Sequence, residues 1–504
     1  MPKPIKKYKN SKSNKPFTTC KGWTMIDNFY NMLTDEKLSQ IHEASIEVLE
    51  KTGLRVDHPV ALEKLAAAGA RVEKGNQRVY LSSDMVEQAL KTAPKSFTCA
   101  GRTPEFDFLV RKTGQDQMPS FRTVGGAINI YNLSTNESRP IGIKDCGDMT
   151  HLVDGLSNLN ILGALTPQDI QLETYDIETL KIMLEKGRKH IWALTTDSKN
   201  LKYQLEMMEA VAGNRQALSK RPICSGIVCL IAPLYFPFDE IERLLLYGEY
   251  NLPVRVPLAP IIGANAPYTL AGTITQTNAE ALGSLVVLQT LCPKIPTWYY
   301  ALVQSMDMGK GYTQFVNPEI MLVETALMQL ARHYDLPAAT SPVMGNSCQA
   351  HQIMFERGTS LTMTALAGIN EVGGVGGIEN GLTTSPELVV IENEIIAYVK
   401  RLLGGVDINQ ETMAVEVIIR DDHKGKYLED PHTFNHLRKE TRFKPYLFDG
   451  RPLLEWQKNP RTIIDRAVEK MAAIMKDHSV PPLEEKLTQE LDRILKTAKK
   501  QLAK

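Results

Sequence analysis

Net charge, paired cysteine motifs and long apolar runs are what this sequence of 504 residues lacks. Lys plus Arg and Asp plus Glu both number 58, so no global field draws nucleic acid or an anionic membrane to the chain. Its seven cysteines (Cys20, Cys99, Cys146, Cys224, Cys229, Cys292 and Cys348) include no CxxC pair. In a chain too large to depend on covalent staples, that points to reduced thiols and a cytoplasmic protein. The longest apolar stretches, around 223–238 and 281–292, are broken by Pro233 and Pro293 and fall short of the roughly 20 residues a bilayer span requires, which argues against an integral membrane protein. The first fifteen residues carry six lysines and no acid, with no apolar stretch behind them, so they read as a solvated tail rather than an export signal.

Several chemistries are missing as well. The cluster Gly373-Gly374-Val375-Gly376-Gly377-Ile378-Glu379 fits no GxGxxG register, because Glu379 takes the last glycine's place, and it is no dinucleotide fingerprint. Gly309-Lys310 has Gln304 where a phosphate loop needs its first glycine. There is no HExxH, and Cys224 and Cys229 stand alone on an expected strand, so a metal site is not expected. Asp430-Pro431-His432 and Asp421-Asp422-His423 begin like the DxHxxG loop that holds corrinoid cobalt, but Asn435 and Lys426 occupy the glycine position. The chain is expected to carry no corrinoid of its own. Gly373, Gly374, Gly376 and Gly377 keep two readings, a backbone that a bulky ligand or cofactor approaches closely or a tight packing turn.

What is present is regular alternation. Thr34 to Gly53 reads as an amphipathic helix with Leu38, Ile41, Val48 and Leu49 on one stripe; two more helices at 58–69 and 82–92, and strands at 96–99, 105–110 and 126–131, follow it. From there short apolar runs alternate with helical stretches: strands at 158–165, 190–196, 223–230, 254–262, 296–302, 338–341 and 370–378, helices near 175–187, 199–212, 238–250, 268–291, 318–334, 352–368 and 386–403. With a 124–131 strand and a helix at 145–156, these make eight strand-helix units, the span of a (β/α)8 TIM barrel; a doubly wound open sheet has the same pattern. The division expected is a flexible basic tail (1–33), a helical and β-hairpin cap (34–120), the barrel (121–404) and a C-terminal helical extension (405–504). The extension ends in a stripe at Leu483, Leu487, Leu491, Ile494 and Leu495, which covers a core or a subunit interface.

Three stretches carry a resemblance. They are Phe355-Glu356-Arg357-Gly358-Thr359-Ser360-Leu361 with Ala365 to Asn370, the glycine cluster followed by Gly381-Leu382-Thr383-Thr384-Ser385-Pro386-Glu387, and Tyr427-Leu428 through Pro431-His432-Thr433, His436-Leu437-Arg438 and Leu447-Phe448-Asp449. With Gly125-Gly126-Ala127 and Asn132 to Pro140, they resemble the trimethylamine methyltransferase family over nearly the whole chain. Founding members of that family use a pyrrolysine after a late barrel strand; the corresponding stretch here, Ser341 to Gln349, holds ordinary residues only. The resemblance therefore implies the non-pyrrolysine branch, similar to glycine betaine:corrinoid methyltransferase and to enzymes acting on carnitine or proline betaine. It implies a TIM barrel that passes a methyl group to cob(I)alamin on a separate corrinoid protein.

The chemistry of such a substrate selects candidate residues. A quaternary ammonium already has a neutral amine as its leaving group, so the protein has to position and desolvate rather than donate protons, and no catalytic side chain is assigned. A nitrogen without N–H is recognised by aromatic faces, for which Trp298, Tyr300, Tyr131 and Phe355 are candidates, Trp298 and Tyr300 alternating inward and Tyr299 outward. A betaine carboxylate needs donors, and His351, Asn346, Gln349 and Arg357 sit in or beside the loop after the late strand; Glu371 flanks the glycine cluster. The expected function is methyl transfer from a small quaternary amine to a partner's Co(I), with the chain forming a homo-oligomer. The alternatives are a barrel lyase or aldolase, which lacks a lysine at an expected strand end since Lys294 precedes its strand, and a betaine-binding protein without catalysis.

Overall fold

The structure is a computed structural model that describes residues 29–113, 118–439 and 443–502. Eight short strands, β1 (Ser120–Thr123), β2 (Ile161–Gly163), β3 (His190–Trp192), β4 (Cys224–Ile227), β5 (Val254–Arg255), β6 (Thr297–Ala301), β7 (Ala338–Thr340) and β8 (Glu371–Val375), pair in parallel in sequence order. The ring closes because β1 bonds both β8 and β2, so the architecture is the closed (β/α)8 barrel and not an open sheet. Each strand is followed by a helix on the outer wall: α1 (Ile143–Asp154), α2 (Tyr175–Lys186), α3 (Ser198–Ala212), α4 (Phe238–Glu249), α5 (Leu270–Leu291), α6 (Pro318–His333), α7 (Ala350–Leu366) and α8 (Pro386–Leu403). α5 is apolar nearly all round because it is covered twice, by the barrel and by the cap helices Asp35–Lys51, Pro59–Ala67 and Ser83–Thr92. The first of these ends where Gly53 turns with φ +68° against the Val79 carbonyl, a place with no room for a Cβ.

Two expected strands are corrected. The first barrel strand is Ser120–Thr123 rather than 124–131. Ser, Arg and Thr look like loop residues, yet all four positions are buried because the barrel interior is polar at this point. The run after Gly125-Gly126 instead forms a hairpin, Asn129–Asn132 with Glu137–Pro140, joined to the short strands Gly377–Ile378 and Thr383–Thr384 beyond β8. In the 254–262 stretch the barrel strand is Val254–Arg255, and Leu258 adds a single parallel bridge to Ala301 of β6. Ile261–Ile262, after Pro257 and Pro260, joins a hairpin of Gln304–Asp307 and Tyr312–Gln314.

The N-terminal end of the barrel has a floor. A hairpin of Ser96–Cys99 and Phe108–Arg111 precedes β1, and the backbone around it bonds the residues that enter three barrel strands: Ala100 N–H to the Pro222 carbonyl (2.9 Å), Arg102 N–H to Arg188 (2.6 Å) and Thr113 N–H to Leu336 (2.9 Å). Its inner face supplies Phe97, Cys99 and Val110 to a buried cluster with Trp298, Tyr300 and Ala339.

Residues 30–33, assigned above to a flexible tail, are held in place. Tyr30 N–H bonds the Leu366 carbonyl at 2.9 Å, and the Gln329 amide bonds the backbone of Met32 and Leu33; the lysine-rich start lies outside the described residues. At the other end, helix Glu485–Leu502 buries Leu491 and Ile494 against α3 and α2, so its stripe covers a core. No helix among the described residues is long and apolar enough to cross a membrane.

Candidate active site

A charged side chain inside a barrel persists only with a partner, because desolvating it alone costs several kcal/mol. Arg122 on β1 and Arg255 on β5 point inward from opposite walls and share one carboxylate, Glu371 on β8. Nε of Arg122 lies 3.1 Å from Oε1; Nε and Nη2 of Arg255 lie 2.9 and 2.5 Å from Oε1 and Oε2. Each guanidinium also stacks on an indole, Arg122 on Trp192 at 3.8 Å and Arg255 on Trp298 at 3.9 Å. Burial pushes the Glu371 carboxyl up, and the guanidinium groups of Arg255 and Arg122 reverse that, holding it below the usual value.

Nη1 of Arg122 donates to the Thr123 carbonyl at 3.3 Å, and hydroxyl groups accept from other donors of the pair. Nη2 of Arg122 donates to the Tyr300 hydroxyl (3.0 Å) and to Ser341 (3.3 Å), which are 2.9 Å apart. Nη1 of Arg255 donates to Ser225, whose oxygen is 2.8 Å from Nε2 of His190. With His190 Nδ1–H donating to the Ala100 carbonyl at 3.0 Å, Nε2 accepts from the Ser225 hydroxyl, the tautomer being the one the network permits. Burial, then Arg255, drives the His190 pKa down to about 4, so the ring is neutral. The interior therefore holds two guanidinium charges and one carboxylate, an excess of one positive charge. A Cβ on Gly373 would lie 2.1 Å from Nη2 of Arg122, so glycine at this point of β8 is what admits the guanidinium.

The expected site residues separate into two groups. Tyr300 and Glu371 meet in the interior network. Trp298 also faces inward but at the floor, edge-on to Phe97 at 4.7 Å; it begins β6 at the N-terminal end, so it is removed from any cage at the mouth. Tyr299 faces out and donates its hydroxyl to Asn278 on α5 at 3.0 Å. Asn346, Gln349, His351 and Phe355 lie in the β7–α7 loop and the first turns of α7, all exposed. Tyr131 joins them, because its hydroxyl meets both Asn136 at 2.9 Å and Cys348 of that loop. The loop is anchored: Asn346 and, from beyond β8, Asn380 donate to the Thr313 carbonyl at 2.7 and 2.8 Å, tying the 304–314 hairpin across the rim.

Other expectations fail on packing. A Cβ at Gly373, Gly374, Gly376 or Gly377 would meet Arg122, Met344, Val389 or Val124, so each of these glycines packs against the protein's own side chains, in keeping with the packing-turn reading. Arg357 is buried against Glu392 and the Gly377 carbonyl, not at the rim. Arg122, Arg255, Ser225, His190 and Ser341 were missed. The available signal was an arginine inside an otherwise apolar strand, Val254-Arg255-Val256, which only a barrel interior with a counter-charge accommodates.

The trimethylamine methyltransferase (MTTB) family matches residues 6–503. The chain belongs to this family. It is 28% identical over 467 residues to a trimethylamine methyltransferase MttB of Desulfitobacterium hafniense, covering 92% of each chain. It is 26% identical over 470 residues to a glycine betaine methyltransferase of another strain of that species, covering 92% of this chain and 96% of that one. Among solved structures, the monomethylamine methyltransferase of Methanosarcina barkeri superposes with a TM-score of 0.54 at 12% identity, covering 96% of this chain and 90% of that one, a likeness of fold.

Proposed function

We propose that this family member is a methyltransferase acting on a small quaternary amine that carries a carboxylate, of the glycine betaine, carnitine or proline betaine type, and that the acceptor is Co(I) of a corrinoid on a separate protein. The observation that carries the substrate class is the uncompensated guanidinium charge in the barrel. A carboxylate at the mouth is drawn toward it, whereas a bare cation such as choline or a tetramethylated ammonium is repelled. The Ser341 to Gln349 loop, built of ordinary residues, supports a substrate that needs no covalent adduct. In the reaction the cobalt electron pair forms the carbon–cobalt bond, the carbon–nitrogen pair leaves with nitrogen, and cobalt is oxidised by two electrons. A neutral tertiary amine departs, so no protein acid is required.

The chain's own part is to bind, orient and exclude water. The rings of Tyr131 and Phe355 stand at the rim for the ammonium, and His351, Asn346 and Gln349 supply donors beside the same loop. The enzyme works as a soluble cytoplasmic homo-oligomer that meets its corrinoid partner at the C-terminal end of the barrel. The test mixes the purified chain with an active, reduced corrinoid protein and follows the cobalt spectrum with glycine betaine, carnitine, proline betaine, choline and trimethylamine. Loss of the Co(I) band with one carboxylated compound and not with choline is expected; an unchanged spectrum with all of them rejects the proposal.

A further inference from the structure

Between residues 405 and 446 no described residue is buried, although the segment forms the helices Gln410–Met413, Val415–Asp421 and Pro431–Lys439. Eleven of the 28 large apolar side chains exposed among the described residues fall here, including Val406 (76% exposed), Ile419 (72%), Leu428 (94%) and Phe434 (62%). Tyr398 and Leu402 on the outer face of α8 extend the patch. We infer that this segment, with the outer face of α8, is the contact between copies of the chain. The inference rests on the homo-oligomer proposed above and assigns its interface.

Three observations favour a second copy over another partner. At on the order of 100 Å² of apolar surface per side chain, the area that the usual burial energy of Val, Leu, Ile, Met or Phe corresponds to, the eleven exposed side chains present about 1,100 Å², more than the roughly 800 Å² each partner buries in a stable interface. The segment has no core of its own, so its cover has to be permanent, whereas a methyl-accepting protein must leave after each transfer. It also sits away from the mouth. It leaves α8 at the N-terminal end of the barrel, where Lys400 reaches the residue Asn158 ahead of β2, and returns along the flank, where Glu394 accepts from the Tyr446 and Leu447 N–H groups. Its charges are mixed, with eight acids and seven bases over 405–446, so two identical surfaces do not repel each other.

Light scattering on the eluting full chain at tens of micromolar is expected to give at least twice, and a whole multiple of, 56.3 kDa. The double variant Ile419→Asp, Leu428→Asp is expected to run as the monomer, or to raise the dissociation constant at least about a hundredfold (~2.7 kcal/mol), with the far-ultraviolet circular dichroism of the barrel retained. A monomeric native chain overturns both the oligomer and this interface. A native oligomer that the double variant leaves intact overturns the interface alone.

Discussion

At its N-terminal end the barrel is closed by backbone: a hairpin bonded to the entry residues of β3, β4 and β7, with Phe97 packed edge-on against Trp298. At the opposite end it is closed by side chains on loops, Asn346 and Asn380 reaching to a single carbonyl of the 304–314 hairpin. Between the two lies the arginine–glutamate network. Backbone bonds beside a buried cluster hold one geometry, whereas side-chain tethers at a partly exposed rim open at less cost. The contrast fits a division in which the floor supplies rigidity, the interior supplies charge and the rim admits ligand.

Substitutions should therefore separate stability from substrate use. The largest effect is expected for Glu371→Gln, which leaves two buried guanidinium groups facing each other. A loss of about 3–5 kcal/mol in denaturant unfolding is expected, and a change under 1 kcal/mol would contradict the network's role. Phe97→Ala should cost about 3 kcal/mol while the Michaelis constant of the surviving folded enzyme stays the same; a shifted constant would mean that the floor communicates with the mouth. Arg122→Gln removes the excess charge but leaves Glu371 paired with Arg255, so the preference for a carboxylated amine over choline, measured as a ratio of kcat/KM, should fall about tenfold (~1.4 kcal/mol). His351→Ala should raise the Michaelis constant for the carboxylated substrate several-fold, about 1 kcal/mol, with thermal stability unaltered.

The smallest effect concerns Glu324 on α6, pushed up to about 8 by burial. A carboxyl whose pKa is raised on folding contributes stability at low pH that is lost as pH rises from the unfolded value, about 4.5, through about 8. Glu324→Gln should thus raise the melting temperature by about 1–2 °C at pH 8.5 and leave it unaltered at pH 4. A shift at both pH values would assign the change to packing instead.

Much of this architecture was legible in the sequence because helices advertise themselves by period: Asp35–Lys51, α5 and α8 fall close to the expected places. Barrel strands were harder where their chemistry is atypical. Ser120–Thr123 hides an arginine whose partner lies about 250 residues away, and nothing local marks that pairing. In the site, strand alternation placed Tyr300 and Trp298 inward, but alternation says which wall a side chain leaves and not how high on the wall it stands. That is why Trp298 was expected at the mouth and is found at the floor. The glycine cluster was ambiguous for a related reason: absent side chains look the same in sequence whether a ligand or another part of the protein fills the space.

The floor hairpin also constrains how the protein is made. Its bonding partners at Arg188, Pro222 and Leu336 are synthesised long after residues 96–113 have left the ribosome, and β1 waits for β8 at 371–375 to close the ring. Residues 96–113 are thus committed to contacts whose partners do not yet exist when they are made, with Phe97 and Val110 uncovered meanwhile. Such delayed, long-range closure favours slow maturation and recruitment of chaperones, and truncated fragments ending before β8 are expected to accumulate as insoluble material.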